Sequence, residues 1–160
     1  MTYGEGVDVS MLCNGFRPIH LIVSKDDSWL PLLELILSKL HNINCKRPGR
    51  NTPLHDAVSS SADNPLICRR LLGYADIDVS TQNAQGHSAL TLACQAGKCL
   101  RGCCVSFTHR FPSSLGKAQC VDMILDLAPW LINSTPGVES PLQHALKAGH
   151  HTIAVSLVNR

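Results

Sequence analysis

A short string built around proline and leucine recurs along the chain, and this recurrence constrains the fold more than any other feature. The clearest copy is NTPLHDA, from Asn51 to Ala57. Counted at residues 18, 53, 89 and 141, the position of Pro53 in each string, successive copies lie 35, 36 and 52 residues apart. Self-similarity at a period of about 20 to 50 residues is typical of stacked repeat architectures. The related strings are RPIHLI from Arg17, SALTLA from Ser88 and SPLQHA from Ser140.

A second pattern follows each of these strings: two apolar residues, two others, then two more apolar residues. Residues four apart lie on one face of a helix, so each copy predicts a short amphipathic helix. Helices of two or three turns do not persist alone in water, so we expect them to be stable only when stacked. The four copies are Leu32–Leu37, Ile67–Leu72, Cys120–Leu125 and Ile153–Val158.

The starts of several predicted helices carry capping signals. Thr52 precedes Pro53, which combines an N-cap hydroxyl with a proline at the first helical position. Ser140 and Gln143 form the S-x-x-Q pattern of a capping box. Asn64 is also followed by a proline, which predicts a second cap of the same kind. The acidic pair at residues 26–27 precedes another predicted helix. Because the N-terminus of a helix carries partial positive charge, we expect this pair to stabilise the helix start.

With these residues in place, the chain resembles the ankyrin-repeat family. Residues 52–57 match the family's T-P-L-H-x-A, and residues 140–150 match its longer form with few changes. The resemblance implies an all-α, ankyrin-type helical repeat solenoid with short β-hairpin loops between repeats. It also implies that His20 and His55 cap helices by hydrogen bonds to the backbone and to a neighbouring Thr. Asn44 and Asn133 lie at or near a hairpin Asn that some family members have hydroxylated, although a structural hairpin cap is the reading we favour.

We predict a single array over residues 1–160 with four repeats, at about 15–47, 48–82, 83–134 and 135–160. Arg17 stands where the family has a capping Thr, and Ala89 stands where it has Pro. These departures predict outer units that are less stable than the second unit.

The long third interval is explained by an insertion. Removing residues 99–117 joins Lys98 to Ala118 and restores the repeat length. The inserted segment contains three cysteines, two of the three Phe residues and no acid. We expect this insertion to lie between the two helices of the third repeat.

Three functions are open for the insertion. The first, which we favour, is a flexible surface loop without dedicated chemistry. The second is a partner-binding loop, with basic side chains for an acidic surface and phenylalanines as apolar anchors. The third is a thiol or metal site, although adjacent cysteines suit tetrahedral zinc poorly. The candidate contacts are Arg101, Phe107 and Arg110, and the candidate thiol or metal ligands are Cys99, Cys103, Cys104 and His109.

Two predicted hairpin loops carry the other candidate contacts. The basic finger, residues 46–50, presents positive charges around a turn and has no acid nearby in the sequence. The amide finger, residues 82–87, is rich in hydrogen-bonding groups. The competing interpretation is that the basic finger only keeps the protein soluble. Charges at the rim of an interface change the association rate more than the affinity, so positive charge alone does not establish a contact. The predicted partner contacts are Lys46, Arg47 and Arg50 in the first finger, and Gln82, Asn83, Gln85 and His87 in the second.

Other classes of function are disfavoured. The net charge of +2 is too small to predict direct nucleic-acid binding, and no apolar run approaches the roughly 18 residues that span a bilayer. The chain has no G-x-S-x-G, no G-x-x-x-x-G-K-[ST] and no G-x-G-x-x-G, so we predict neither an enzyme nor a cofactor or metal site. The first ten residues lack a secretory signal, which predicts the reducing cytosol or the nucleus and free thiols.

The sequence therefore predicts a non-enzymatic module that binds another protein, one with an acidic surface, through its fingers and concave face. We expect a monomer or a part of a larger complex. The alternative is a truncated or splice-variant fragment that competes for the partners of a longer ankyrin-repeat signalling or transcription-regulating protein.

Overall fold

The structure is a computed structural model that describes residues 16–62, 64–96, 113–133 and 139–159, with the backbone alone for residues 113–119. The described residues are mostly helical and contain no β-sheet. The α-helices are Pro18–Ile22 (α1), Leu30–Lys39 (α2), Pro53–Ser59 (α3), Pro65–Leu72 (α4), Ala89–Ala96 (α5), Ser113–Leu127 (α6), Pro141–Ala148 (α7) and His151–Val158 (α8). Short 3₁₀ turns lie at Asp27–Trp29 and Pro129–Ile132.

The helices pack as two layers. In one layer α1 contacts α3, α3 contacts α5 and α5 contacts α7; in the other α2, α4, α6 and α8 follow one another in the same way. Each odd-numbered helix also contacts the even-numbered helix that follows it. This is the arrangement of a helical repeat solenoid, and it confirms the fold class that the sequence predicts.

Capping residues explain where α3 and α7 begin. The backbone N–H of Thr52 donates to His55 Nδ1 at 3.3 Å, and the Thr52 hydroxyl lies 2.8 Å from the same nitrogen. In α7 the backbone N–H of Ser140 donates to Gln143 Oε1 at 2.8 Å, while Gln143 N–H donates to the Ser140 hydroxyl at 3.3 Å. Both reciprocal caps confirm the predicted helix starts.

The core between the layers is built from branched and small side chains. Cysteines 45, 68, 94 and 120 are buried thiols outside any disulfide, and they fill positions of a small hydrophobe. Burial raises the pKa of the Cys94 thiol to about 12, so this group stays protonated at neutral pH. The largest fully buried apolar side chains are Ile19, Leu33, Leu54, Ile67, Leu71, Leu90, Ile124, Leu125 and Ile153.

The start of α4 is capped differently from the prediction. Asn64 occupies the N-cap position, yet its side chain makes no capping hydrogen bond there. It is buried, and its amide donates to the carbonyl oxygens of Val23, at 2.7 Å, and of Ala57, at 3.2 Å. The free N–H groups of α4 are instead satisfied by Asp27, whose carboxylate accepts from Leu66 N–H and Ile67 N–H. Asn64 and Asp27 thus join neighbouring helix pairs, because each reaches beyond its own unit.

Two further expectations need correction. The inserted segment is not all loop, because α6 begins at Ser113 and takes up the last five residues of the segment. The expected hairpins are turns, with an isolated antiparallel bridge between Gln82 and Ser88. Arg101, Phe107, Arg110 and the cysteines and histidine of the insertion lie outside the described residues.

Candidate binding surface

The basic finger is a tight turn closed by backbone hydrogen bonds. Arg47 N–H donates to Asn51 O at 3.0 Å, and Arg50 N–H donates to Arg47 O at 2.8 Å. Gly49 and Arg50 both have positive φ, at 86° and 60°, which lets the chain reverse direction. An arginine at positive φ is uncommon, and here it points a charged residue outward at the tip, where its side chain is exposed.

Arg47 does not present a free charge at this finger. Its guanidinium forms a bidentate ion pair with Asp56 in α3, with Nε–Oδ2 and Nη2–Oδ1 distances of 2.7 Å. The Asp56 side chain is buried, and Asn51 donates a further hydrogen bond to it at 3.2 Å. The expectation that no acid lies near the finger is therefore wrong, because helix α3 brings Asp56 beneath the turn. Lys46 and Arg50 remain exposed.

The guanidinium of Arg47 also lies against an aromatic ring. Its central carbon is 5.2 Å from the centroid of the Phe16 ring, a cation–π distance. The hydrogen bond to Asp56 raises the pKa of Arg47 still further, so the group is permanently charged. Arg47 thus anchors the basic finger to the first helix layer.

The amide finger is organised by the buried side chain of Asn83. Asn83 Oδ1 accepts from Gln85 N–H at 2.9 Å and from His87 N–H at 3.0 Å. The Asn83 backbone N–H donates to His87 O at 2.9 Å, and Gly86 supplies the positive φ of 79° that the turn requires. Asn83 shapes the loop from inside, and Gln82 and Gln85 are exposed at its surface.

Hydrogen bonds join the two fingers to each other. Ala84 N–H, at the tip of the amide finger, donates to Gly49 O of the basic finger at 2.9 Å. Below them, the distance from His55 Nε2 to the backbone oxygen of His87 is 3.2 Å. Because the Thr52 N–H donates to His55 Nδ1, the imidazole proton lies on Nε2, which is the donor to His87 O. The exposed ends of both fingers are therefore held in one fixed arrangement.

Burial lowers the pKa of His55 and of His20, so both imidazoles are neutral at physiological pH. His20 makes the equivalent contact one unit earlier, with Nε2 donating to Cys45 O at 3.2 Å. The hydrogen bond to the backbone that the family resemblance implies is present for both histidines, but only His55 also contacts a Thr, because Arg17 stands at the cap of α1 and makes no capping hydrogen bond. Each ties the start of its helix to a backbone carbonyl of a loop.

His87 lies at the base of the amide finger, where the third and fourth helix pairs meet. Its ring packs edge-on against that of His144 in α7, with centroids 5.4 Å apart. Glu139 lies 3.9 Å from His144 and also pairs with Lys147. His87 is half-buried, so it offers less surface to a partner than the two glutamines do.

Sequence reasoning named Asn44 as a hairpin cap but missed that its side chain links two consecutive loops. Asn44 donates through Nδ2 to Asp76 O at 2.6 Å, and its Oδ1 accepts from Asp78 N–H at 2.9 Å. The link thus spans two consecutive loops, and the signal for it was the recurrence of an Asn or Asp at this loop position. Asp78 itself accepts from the hydroxyls of Ser80 and Thr81, which lowers its pKa.

Within the described ranges, no group of three or more His, Cys, Asp or Glu side chains is arranged to hold a metal ion. No helix in the same ranges is both long and apolar enough to cross a bilayer.

A comparison with known families matches the segment that joins the two fingers. Residues 49–82 match the family model described as Ankyrin repeat. This segment is similar to an ankyrin repeat. The matched residues run from the tip of the basic finger through α3 and α4 to the first residue of the amide finger. A search of curated proteins found no significant match to the chain.

An ankyrin repeat is typically a module for binding other proteins. Repeats of this kind offer extended surfaces on which side chains are held rigidly by stacked neighbours. The fingers have this character, because buried side chains such as Asn83 and His55 fix their backbones while polar side chains remain exposed.

Proposed function

We propose that the chain is a non-enzymatic protein-binding module whose partner contacts the two fingers together. The observation that carries the proposal is the Ala84–Gly49 hydrogen bond, which holds two exposed loops of different chemistry side by side. One loop carries positive charge and the other carries amides. A partner that covers both presents acidic groups to the first and hydrogen-bonding groups to the second.

The predicted contacts divide into two roles in this proposal. Lys46, Arg50, Gln82 and Gln85 are exposed and contact the partner directly. Arg47 and Asn83 shape the fingers from within, since one pairs with Asp56 and the other closes a turn. His87 contacts the partner with its exposed edge. Arg101, Phe107 and Arg110 are kept as candidate contacts of the insertion.

The same proposal covers the organisation of the array. The helix pairs α1–α2, α3–α4, α5–α6 and α7–α8 are the four repeats, with boundaries at about 15–47, 48–82, 83–134 and 135–160. We also place the chain in a reducing compartment, the cytosol or the nucleus, and the four buried cysteines outside any disulfide are consistent with it.

Charge reversal tests the placement of the site. The variant Lys46→Glu/Arg50→Glu is expected to lower the association rate with partners recovered from a native cell extract by about tenfold at low salt. The matched control is Lys25→Glu/Lys39→Glu, which reverses two exposed lysines away from the fingers. Association is measured by surface-immobilised binding with each recovered partner after its identification by mass spectrometry. Equal rates for the two variants would refute the basic finger as a contact.

A further inference from the structure

An open groove of about 550 Å³ lies between the loop that follows α4 and the end of α6. Its walls include the half-buried ring of Tyr74 and the exposed side chains of Leu127 and Trp130. The Trp130 side chain is 64% exposed, although a ring of this size buries much apolar area when it packs. Exposed apolar side chains that lie together are a feature of interaction surfaces.

The groove lies where a link between neighbouring loops is missing. Asn44 joins the first loop to the second, since its Nδ2 donates to Asp76 O and its Oδ1 accepts from Asp78 N–H. The equivalent residue of the second loop is Asp78, whose ionised carboxylate has no proton to donate to a carbonyl oxygen. Within the described residues, Asp78 makes no hydrogen bond to the third loop, where Asn133 N–H donates to Trp130 O. The equivalent pairs are Ile43-Asn44, Ile77-Asp78 and Ile132-Asn133.

The Asp78 carboxylate is fixed by its own loop and still has an acceptor position. Its Oδ1 accepts from the N–H and the hydroxyl of Ser80, at 2.9 and 2.6 Å, and from Thr81 N–H at 3.2 Å. Its Oδ2 accepts only from the Thr81 hydroxyl, at 2.6 Å. These donors lower the pKa of Asp78, so the group is negatively charged at neutral pH. A carboxylate oxygen can accept two hydrogen bonds, so Oδ2 can accept one more.

The charge of the groove is negative. Of the described residues that line it, none is Lys or Arg, and Asp78 is the only charged one. Asp76, between two lining residues, is exposed as well. The nearby Arg70 is held by Glu34, at 2.7 Å from Nε to Oε1, and its guanidinium lies 5.8 Å from the centroid of the Tyr74 ring. An aromatic wall beside an acceptor carboxylate is complementary to a cation.

We propose that this groove binds an arginine side chain of a partner protein. The guanidinium lies on the exposed face of Trp130 and donates to Asp78 Oδ2, while the aliphatic part of the side chain packs against Tyr74 and Leu127. Arginine suits these walls because its guanidinium is planar, stacks on aromatic faces and donates to carboxylates. The groove takes a charge opposite to the one that the basic finger takes, so this contact does not depend on the fingers.

The experiment is an NMR titration of the full 160-residue chain with the blocked peptide acetyl-Gly-Arg-Gly-amide. The chain has two tryptophans, and both are exposed, but of these two only Trp130 lines the groove. We expect the Trp130 indole N–H signal to shift until it saturates, and the Trp29 signal to stay in place. The matched probe has citrulline in place of arginine, which keeps the shape of the side chain and removes its charge. We expect no shift with this probe.

Two variants test the two walls separately, with the backbone amide of Val79 as the reporter in both. Asp78→Asn keeps an oxygen acceptor for Ser80 and Thr81 but removes the charge, so we expect the dissociation constant of the arginine peptide to rise about fivefold. Trp130→Ala removes the stacking face, and we expect a rise of about threefold. The matched control, Trp29→Ala, should leave the constant unchanged.

The position of the Trp29 signal shows that Asp78→Asn and Trp130→Ala keep their fold. A selective shift of the Trp130 indole, weakened by both variants, supports the proposal. A Trp130 signal that does not move, or that moves equally with the citrulline peptide, overturns it. A lysine peptide that binds as tightly as the arginine peptide also overturns it, because the site would then not recognise a guanidinium.

Discussion

The second and fourth helix pairs have closely similar sequences but very different surroundings. Both begin with a hydroxyl cap followed by Pro-Leu, and both close the first helix start with a side chain at the third position. In the second pair, Val58 is completely buried between neighbours. In the fourth pair, the equivalent Leu146 is largely exposed. The same local pattern therefore produces the same helices, whereas neighbours decide how much each contributes to stability.

Truncating a leucine in each pair tests this difference most strongly. Leu54→Ala is expected to lower the free energy of unfolding by about 3 kcal/mol, because it leaves a cavity between packed helices. Leu146→Ala is expected to lower it by less than about 0.5 kcal/mol, because the side chain already contacts water. Urea denaturation at low protein concentration gives both values. Similar losses would mean that the fourth pair is covered in solution.

The two helix caps provide a smaller test. His55→Ala removes hydrogen bonds to Thr52 and to His87 O in a buried site, so we expect a loss of about 2 kcal/mol. Gln143→Ala removes an exposed cap on Ser140 and is expected to cost about 0.5 kcal/mol. Thermal unfolding followed by circular dichroism compares the two variants with the wild-type chain. A larger effect of Gln143→Ala would show that burial does not govern the strength of these caps.

Acid should destabilise the chain through its buried histidines. Because burial lowers the pKa of His55 and His20, the unfolded chain binds protons more readily than the folded chain below about pH 6.5. Stability is thus fully present above that pH and decreases as the pH falls below it, by at most about 1.4 kcal/mol per histidine and pH unit. The measurement is the urea midpoint at pH 7.5 and pH 5.5.

The control for this pH dependence is His151→Asn, a change to an exposed residue of the fourth pair. His55→Gln should reduce the difference between the two midpoints, whereas the control should leave it unchanged. An unaltered difference in His55→Gln would assign the acid sensitivity to other groups.

Much of the fold could be predicted from the sequence, because its signals are local. The cap of α3 at Thr52 and the reciprocal cap at Ser140 depend on residues within one helical turn, and both are present in the structure. The apolar pairs four residues apart mark the second helices for the same reason. Contacts between neighbouring helix pairs join residues more than thirty positions apart. A pattern within one helical turn cannot predict such contacts. Asp27 therefore caps a helix of the next pair, whereas Asp26 caps its own turn.

The candidate site was predicted less completely. Lys46, Arg50, Gln82 and Gln85 are exposed in the fingers, as a contact role requires. Arg47 and Asp56 are nine residues apart and belong to different elements, so only the fold could show that they neutralise each other. The sequence offers no comparable signal for the Ala84–Gly49 hydrogen bond, since any residue but proline can donate through its backbone N–H.

By itself the sequence determined where the helices that follow Thr52 and Ser140 begin and which apolar pairs mark the second helices. These depend on side chains that act on their own turn of backbone. The tertiary structure decided which charges are paired, which caps cross between units and which apolar face stays uncovered. Those properties arise only when distant segments of the chain come together, because burial and ion pairing are set by neighbours in space.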